Sequence, residues 1–539
     1  MEALQPGGDV VVANIHLPFD DKHLATGTWT IECHGGRVSR VLPFHLDDTR
    51  SAESSKSEKL EGRCTIIDGA GGLLLPSFCH SHIHLDKCFI LDRCGDLVKG
   101  DFEEAMRVTK VAKADFSKQR DDLSVGFTCL EVAQRLKKDY LGLCDVQIAI
   151  FAQVPLFDSI DDEQPGENFI LLKDAATRHS VSVIGSAPYV EPSHEQAKAN
   201  IKLVFDIADD QRVDRIDFHL DYNLHANSEP LIYEVISEVK RRYETGKPDS
   251  NDNNGSSENF GPNSSFGKRL CPRITVGHAT RLQIFSAERW RELAEAIHGL
   301  PITFVGLPQS DIYMQGREFL NEPLGAPRGT LRVPYLAKEY GIEVAMSVNN
   351  VENAFTPQGS LDPLSLCTFG VAIFQAATPE DIRTLVQSVT LTSKRAIGPP
   401  PSTVSPSVQA EGPSDIPADL VPRVGDPADF VILHERKSVR SAVLNPPFDR
   451  KTIKGGKLVA ERSSMRWSLE THKTVQIFIV AECSKSLLVQ PQDNSGADFV
   501  ILHGRKSVQS VARNPPFDRQ TIKDGRLVAE RSSTRRIAA

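Results

Sequence analysis

Residues 73–87 read LLLPSFCHSHIHLDK, an apolar strand candidate that ends in two histidines, His82 and His84. Because alternate residues of a strand point to the same face, both imidazoles can project from one side of this segment. Imidazole nitrogens in such a pair are suited to Zn²⁺ or Fe²⁺. The stretch therefore predicts a strand that carries metal ligands to its carboxyl end.

Downstream of this stretch, short Val/Ile-rich segments alternate with longer segments of helical periodicity, such as 287–298. The strand candidates are residues 146–152, 181–186, 215–219, 273–278, 302–307 and 342–347. This alternation predicts an α/β fold with a parallel sheet, and its length suits a TIM-type (β/α)8 barrel over residues 73–398. Residues 87–144 contain no Val/Ile-rich run, so a barrel that lacks its second strand is the alternative to a complete one.

The two ends of the chain are also rich in strand-forming sequence. Residues 1–72 hold short β-rich runs separated by Gly-Gly turns, and residues 425–467 contain a strand followed by a hairpin-like ending. Residues 428–464 recur at 497–533 with 29 of 37 positions identical. Two copies are too few for a solenoid. We interpret 468–539 as a duplicated copy that adds strands to an existing sheet, and not as a second functional module.

Two polar segments interrupt this organisation. Residues 247–268 contain almost no large aliphatic side chains and are predicted to form a flexible insertion within the barrel region. Residues 399–424 are rich in Pro and Ser and are predicted to form a linker that leaves the barrel.

The composition excludes several classes of function. The chain has 539 residues, 62 basic against 71 acidic, and a net charge of −9, which gives no reason to expect a nucleic acid or an anionic membrane as partner. It has no apolar run of the roughly 18 residues that a membrane span needs, and its start does not resemble a secretory signal. Ten cysteines without a C-x-x-C pair indicate reduced thiols, so we expect a cytoplasmic location.

Three later strand candidates end in side chains that suit metal or proton chemistry, namely 217–221 (DFHLD), 277–280 (GHAT) and 348–350 (VNN). With the H-x-H-L-D-K run, Phe151-Ala152-Gln153 and residues 308–317 (PQSDIYMQGR), they occur in the order typical of one family. On these motifs the sequence resembles the amidohydrolase superfamily, in its cytosine-deaminase-like branch. The resemblance covers roughly residues 8–460.

The resemblance implies a metal-bearing (β/α)8 barrel beside a small β-sandwich that both chain ends build. It implies one divalent metal ion, Zn or Fe, with His82, His84 and His219 as ligands. His278 would lie beside the metal-bound water or the developing oxyanion, and Gln153 would bind a ring amide of the substrate. The implied activity is hydrolysis of a non-peptide carbon–nitrogen bond in a small cyclic amide or amidine.

Two positions depart from the pattern of deaminases in this family. Asn349 occupies the place of an Asp that is ligand and general base, and an amide cannot accept a proton near neutral pH. Tyr222 occupies the place of a Glu that moves protons, and a phenol with a pKa of about 10 is a poor base at neutral pH. Asp221 or His278 would then have to move the proton. Residues 219–223 (HLDYN) and 349–360 are similar to one branch of the family that shares both departures.

Two other classes of function therefore remain open at this stage. The first is a catalytically impaired relative that binds metal or a small molecule without turnover. The second is an interaction protein, a hypothesis that only the composition supports. The preferred hypothesis predicts a small-molecule substrate, no nucleic-acid or membrane partner, and is compatible with a homo-oligomer.

Overall fold

The computed structural model describes residues 10–19, 27–45, 65–114, 127–178, 181–244, 271–317, 329–398, 419–468, 486–487, 499–503, 519–523 and 526–537. The predicted flexible insertion at 247–268 lies outside these ranges, as does the predicted linker up to residue 418. Among the described residues, no helix combines the length and the apolar character that crossing a bilayer requires.

The described elements are seventeen strands and twelve α-helices. The strands are β1 Val10–His16, β2 Trp29–His34, β3 Arg37–Pro43, β4 Thr65–Pro76, β5 Ala149–Ala152, β6 Val183–Ser186, β7 Arg215–Leu220, β8 Arg273–His278, β9 Ile302–Gly306, β10 Val344–Met346, β11 Phe430–Leu433, β12 Arg450–Lys454, β13 Lys457–Ser468, β14 Ser486–Leu487, β15 Phe499–His503, β16 Arg519–Lys523 and β17 Arg526–Ile537. The helices are α1 Phe102–Ala114, α2 Thr128–Asp139, α3 Glu167–Ala176, α4 His194–Gln211, α5 Ile232–Val239, α6 Ala287–Ile297, α7 Pro308–Met314, α8 Val333–Tyr340, α9 Pro363–Ile373, α10 Pro379–Ser388, α11 Leu391–Ile397 and α12 Val439–Leu444.

A parallel sheet in the order β10-β9-β8-β7-β6-β5 forms the predicted α/β region. Helices follow its strands in alternation, and the strands are largely buried, as expected when helices cover a parallel sheet. A parallel bridge between Ile83 and Asn349 places the H-x-H segment next to the end of β10. To close a barrel, a further strand would have to pair on the other side of the H-x-H segment, between it and β5.

The flank between the H-x-H segment and β5 is open in the described part of the chain. Residues 88–114 and 127–148 form 3₁₀ turns, α1, α2 and loops, and none of them pairs as a strand. The described residues therefore do not form a complete eight-stranded barrel. They agree with the alternative in which the second strand is missing.

The ends of the chain meet in a second, mostly antiparallel sheet. Its order is β14-β15-β16-β17-β13-β12-β11-β4-β1-β2-β3, with β4 linking the N-terminal strands to β11. The sheet curls on itself, because Val38 N donates to Asp426 O (2.9 Å) and Ala428 N donates to Gly36 O (2.9 Å). The buried side chains of both ends pack in one apolar cluster inside the curl. The predicted sandwich is thus found in part, as one curled sheet built from both ends.

The repeat in the tail has the same strands in both copies. β15, β16 and β17 lie 69 residues after β11, β12 and β13, and β13 pairs with β17 in antiparallel register. Ser464 pairs with Ser533, which is its own counterpart in the second copy. On either side, Ser463 pairs with the counterpart of Met465, and Met465 pairs with the counterpart of Ser463. The two copies therefore face each other about a local two-fold axis through this pair.

A buried ion pair joins the curled sheet to the helices of the α/β region. Arg450 in β12 donates to both carboxylate oxygens of Asp362 (2.9 and 2.7 Å), and Asp362 also accepts from Leu364 N at the start of α9 (3.2 Å). Burial favours the neutral acid, but Arg450 outweighs it and holds the pKa of Asp362 below its usual value. The ionised carboxylate therefore stabilises the fold.

We expect Asp362→Ala to lower the free energy of unfolding by about 3–5 kcal/mol at neutral pH, because it leaves Arg450 buried without its partner. Since the pKa is depressed in the folded state, this stabilisation is complete above the unfolded value of about 3.9 and is lost as the pH falls through the folded value. Denaturant unfolding at several pH values measures the free energy of unfolding of the Asp362 variant and of the unmodified chain. Glu32→Ala breaks the exposed Glu32–Arg40 pair and should cost about 0–1 kcal/mol. Equal losses in the two variants would contradict the prediction.

Candidate metal centre

The carboxyl ends of β7, β8 and β10 bring polar side chains to one edge of the parallel sheet. β7 contributes His219, β8 contributes His278, and Asn349 follows β10. Asp221, His278 and Asn349 all have a positive φ (53°, 67° and 62°). Such a backbone costs about 1–3 kcal/mol at a residue other than glycine, and strain of this kind concentrates at functional sites.

The three histidines predicted as ligands converge. His82 Nε2 lies 3.1 Å from His84 Nε2 and 2.9 Å from His219 Nε2. Burial lowers the pKa of His219 well below its usual value, and the neighbouring histidines lower it further. The ring is therefore neutral at physiological pH, which is the form that binds a metal. Gly277, beside His219, leaves room for this ring, since a Cβ there would lie 3.2 Å from His219 Cδ2.

Asp217 supports the cluster through the Nδ1 side of His82 and was not among the predicted site residues. Its Oδ2 lies 3.2 Å from His82 Nδ1, and its Oδ1 accepts from Thr275 Oγ1 at 2.6 Å. A carboxylate on Nδ1 fixes the tautomer and orientation of the ring, so that Nε2 faces the metal. The available signal was the D-F-H spacing, which places Asp217 and His219 on the same face of β7.

Asp217→Asn should weaken metal binding about 10–100-fold while the three ligands stay in place. Competition with a fluorescent chelator measures this affinity. Asp214→Asn, at the exposed start of the same strand, is the control and should leave the affinity unchanged. Equal affinity in the Asp217 variant and the unmodified chain would show that Asp217 does not support metal binding through His82.

His278 lies beside the cluster and has its own carboxylate partner. The rings of His219 and His278 have centroids 4.9 Å apart, and His278 Nδ1 lies 2.6 Å from Asp311 Oδ1. The other oxygen of Asp311 accepts from Leu307 N (3.1 Å) and Thr330 Oγ1 (2.9 Å). Asp311 is fully buried, so it is held rigidly and fixes the orientation of His278.

Asn349 presents a buried oxygen to this site. Its Nδ2 donates to Ser310 Oγ (2.9 Å) and its backbone oxygen accepts from His84 N (2.7 Å), which fixes the side chain beside the cluster. Its Oδ1 is buried and has no hydrogen-bond partner among the described residues. An orphaned buried acceptor is costly unless a ligand satisfies it, and an amide oxygen can serve as a ligand atom.

Tyr222 and Asp221, the two candidates for moving protons, occupy different environments. The Tyr222 ring lies 4.1 Å from the His278 ring, and burial, with Asp311 nearby, raises its pKa well above the usual value. Tyr222 therefore stays protonated, and its hydroxyl can donate a hydrogen bond but is neither a base nor a ready source of a proton. The Asp221 carboxylate turns away from the cluster and accepts from Leu231 N (2.7 Å) and Ile232 N (3.3 Å) at the start of α5.

Gln153, predicted to bind substrate, lines the same cavity as the histidine cluster. Lys87 Nζ donates to its Oε1 at 2.8 Å. Because an ammonium group can only donate, this bond fixes the amide with Oε1 towards Lys87. The Nε2 group of Gln153 is thus the end that can donate to a carbonyl oxygen of a ligand.

Comparison with known proteins adds to this geometry. No protein-family model matches the sequence, and no curated protein matches it. Among solved structures, the chain is similar to 5-methylcytosine deaminase from Klebsiella pneumoniae liganded with phosphonocytosine, with a TM-score of 0.59 and 18% identity over 87% of this chain and 100% of the other. It is also similar to N-isopropylammelide isopropylaminohydrolase from Burkholderia multivorans ATCC 17616, with a TM-score of 0.56 and 17% identity over 84% and 98%.

These similarities confirm the predicted resemblance at the level of the fold. The chain shares its overall fold with these two solved structures. Both are matched over nearly their whole length, so the extra length of this chain lies outside the shared fold.

Within this fold, a cavity of about 1740 Å³ opens at the histidine cluster. Small-molecule sites usually occupy about 300–1,000 Å³, so the space exceeds what a single small ring needs. The cavity also lies along the open flank, where Leu130, Ile148 and Leu172 form part of its apolar wall. His82, His84, His219, His278, Asn349, Tyr222 and Gln153 all line this cavity, and Asp221 does not.

Proposed function

We propose that this chain is a metal-dependent hydrolase that cleaves a non-peptide carbon–nitrogen bond in a small cyclic amide or amidine. The observation that carries the proposal is the convergence of the Nε2 atoms of His82, His84 and His219 at the mouth of the cavity. A second observation supports it, namely the Asp311–His278 pair beside this cluster. The similar solved structures include a deaminase and an aminohydrolase, which agrees with the same class of reaction.

The donor set fits one divalent metal ion. Neutral imidazoles are the ligands that Zn²⁺ and Fe²⁺ share, and the orphaned Oδ1 of Asn349 could supply a further, weaker oxygen ligand. When bound, the metal would act as a Lewis acid and lower the pKa of water. Asp217 would keep His82 in the ligand tautomer.

The proton transfers fall to His278 in this proposal, and Tyr222 assists as a hydrogen-bond donor. Because Asp311 holds Nδ1 of His278, Nε2 is the ring nitrogen that exchanges a proton with the substrate. Tyr222, protonated and packed against His278, can donate a hydrogen bond to the reacting group. Asp221 is engaged with the backbone of α5 and takes no part. The Gln153 amide, fixed by Lys87, orients a substrate carbonyl.

One observation favours the second candidate, a relative that binds metal or ligand without turnover. Neither Asn349 nor Tyr222 can act as a general base, and Asp221 is turned away. Turnover therefore depends on His278 alone as the base. If His278 cannot perform both proton transfers, the site binds but does not hydrolyse.

The test is metal analysis together with a hydrolysis screen. The chain is loaded with Zn²⁺ or Fe²⁺, its bound metal is measured, and cyclic amides and amidines are screened for release of ammonia or amine and for ring opening. We expect about one metal per chain and turnover of at least one compound. Stoichiometric metal without turnover across the screen would favour the impaired relative. Absence of bound metal, with His82→Ala leaving stability unchanged, would refute the hydrolase and the metal-binding version of the second candidate.

A further inference from the structure

Ser310 contributes a buried hydroxyl group to the metal centre. It belongs to α7, the helix that also carries Asp311, and it lines the cavity with 1% of its surface exposed. Its Oγ accepts from Asn349 Nδ2 at 2.9 Å. The start of α7 is anchored, because Leu307 N donates to Asp311 Oδ2 at 3.1 Å and Asp311 N donates to Leu307 O at 2.9 Å. Ser310 is therefore held in a fixed position against Asn349.

The contact with Ser310 fixes one end of the Asn349 amide. Because Nδ2 and Oδ1 are bonded to the same carbon, an amide with Nδ2 towards Ser310 turns Oδ1 the other way. The backbone of Asn349 is fixed as well, since its oxygen accepts from His84 N at 2.7 Å and the residue forms a parallel bridge with Ile83. Oδ1 is buried and is the end of the amide that has no hydrogen-bond partner among the described residues.

The direction of the amide depends on where the proton of the Ser310 hydroxyl goes. A serine hydroxyl both donates and accepts, so a freely rotating proton would let Ser310 bond either end of the Asn349 amide. Tyr222 supplies a second partner: burial raises the pKa of Tyr222, and a hydrogen bond with the Ser310 side chain opposes this rise. A hydrogen bond that favours the phenolate is one that the phenol oxygen accepts. Ser310 therefore donates to Tyr222 and offers Asn349 only its lone pairs.

We propose that Ser310 is a positioning residue that holds Asn349 with Oδ1 towards the metal ion and Nδ2 away from it. This inference rests on the proposed function, because it takes the three histidines to bind a metal ion. An amide oxygen has lone pairs that a metal ion can accept, whereas the amide nitrogen carries only donor hydrogens. The direction of the amide thus decides whether Asn349 serves as a ligand, and Ser310 acts on the metal through Asn349 alone.

The first experiment measures the effect of Ser310→Ala in three backgrounds. The Zn²⁺ affinity of the full chain is determined by competition with a fluorescent chelator for the unmodified chain, for Asn349→Asp and for Asn349→Ala, each with and without Ser310→Ala. In the unmodified chain we expect Ser310→Ala to weaken binding about tenfold. In the other two backgrounds we expect a change of less than about twofold, because both oxygens of an aspartate can serve as ligand and an alanine offers none.

The pattern across the backgrounds distinguishes positioning from packing. A loss confined to the chain with Asn349 upholds the inference. An equal loss in all three backgrounds, no loss in any of them, or full Zn²⁺ affinity in Asn349→Ala would overturn it. Ser186→Ala is the matched control, because Ser186 Oγ donates to Asn200 Oδ1 at 2.6 Å in a buried pair outside the cavity. This control should leave the Zn²⁺ affinity unchanged, and circular dichroism verifies that each variant is folded.

The second experiment tests the direction of the Ser310 hydrogen bond with Tyr222→Phe. This variant removes the acceptor of the Ser310 proton, so Ser310 can donate to Asn349 Oδ1 and reverse the amide. We expect Zn²⁺ binding to weaken about 2–10-fold, roughly the factor that one neutral hydrogen bond supplies. The loss should vanish when Ser310→Ala is already present. Unchanged affinity, or a loss that persists with Ser310→Ala, would overturn the hydrogen-bond direction on which the inference depends.

Neither experiment requires turnover, so the outcomes for the inference and for the proposed function are separate. If the predicted changes in Zn²⁺ affinity appear while the hydrolysis screen fails, the role of Ser310 is upheld and only the proposed catalysis is refuted. If the unmodified chain binds Zn²⁺ but Ser310→Ala has no effect, the inference fails and the metal centre stands. If the unmodified chain binds no Zn²⁺, the metal centre and the inference are refuted together.

Discussion

Replacing His82 by alanine is expected to abolish stoichiometric metal binding and to reduce turnover to the uncatalysed background. His82 is the central member of the cluster, since its Nε2 lies within 3.1 Å of the Nε2 atoms of both His84 and His219. Losing Asp217, which only supports a ligand, should weaken metal binding about 10–100-fold, and removing a ligand should weaken it further. Elemental analysis after dialysis against a weak chelator measures the retained metal.

The matched control for this variant is His80→Gln. His80 lies in the same segment, but its Nε2 contacts Leu361 O at 2.8 Å, away from the cluster. We expect the His80 variant to keep one metal per chain, whatever it loses in stability. If His82→Ala retains metal as well as the control, the three histidines are not the ligand set.

Asp311→Asn is expected to lower kcat about 10²–10⁴-fold while the metal stays bound. The amide cannot hold His278 Nδ1 as the carboxylate does, so the ring loses the tautomer that directs Nε2 to the substrate. Because Asp311 does not contact the histidine cluster, the metal content and KM should change little. Steady-state kinetics on a substrate from the screen, together with metal analysis, separates these effects.

The control for Asp311 is Thr330→Val, which removes a hydrogen bond to the same carboxylate but leaves the contact with His278. We expect a much smaller fall in kcat from this variant. A similar fall in both would mean that Asp311 acts only through the packing of α7. If the Asp311→Asn variant loses its metal, Asp311 instead helps to hold the histidine cluster in place.

The sequence predicted the elements whose signal is local. β8 was predicted at 273–278 and is observed at Arg273–His278, because a buried parallel strand is a continuous apolar run between polar breaks. The convergence of His82, His84 and His219 followed from strand alternation and from motif order together. The sequence of 87–144 likewise lacks a β-branched run, and its described parts, 87–114 and 127–144, contain no strand.

What the sequence did not predict depends on contacts between distant segments. Asp217 and Asp311 act through His82 and His278. The D-F-H spacing places Asp217 on the same face as His219, but nothing local identifies Asp217 as the partner of His82 or Asp311 as the partner of His278. The orientation of Asp221 depends on where α5 begins, eleven residues further on. The two separate sheets of the expected sandwich proved to be one curled sheet, because the meeting of Val38 with Asp426 depends on tertiary packing.

The local two-fold axis through Ser464 and Ser533 has a consequence for assembly. An unpaired β13 would present a row of backbone donors and acceptors, which is a template for an identical strand of another molecule. Here β17 of the same chain occupies that edge. A partner tethered in the same chain acts at an effective concentration of the order of millimolar. The edge of β13 is therefore covered in a way that does not depend on protein concentration.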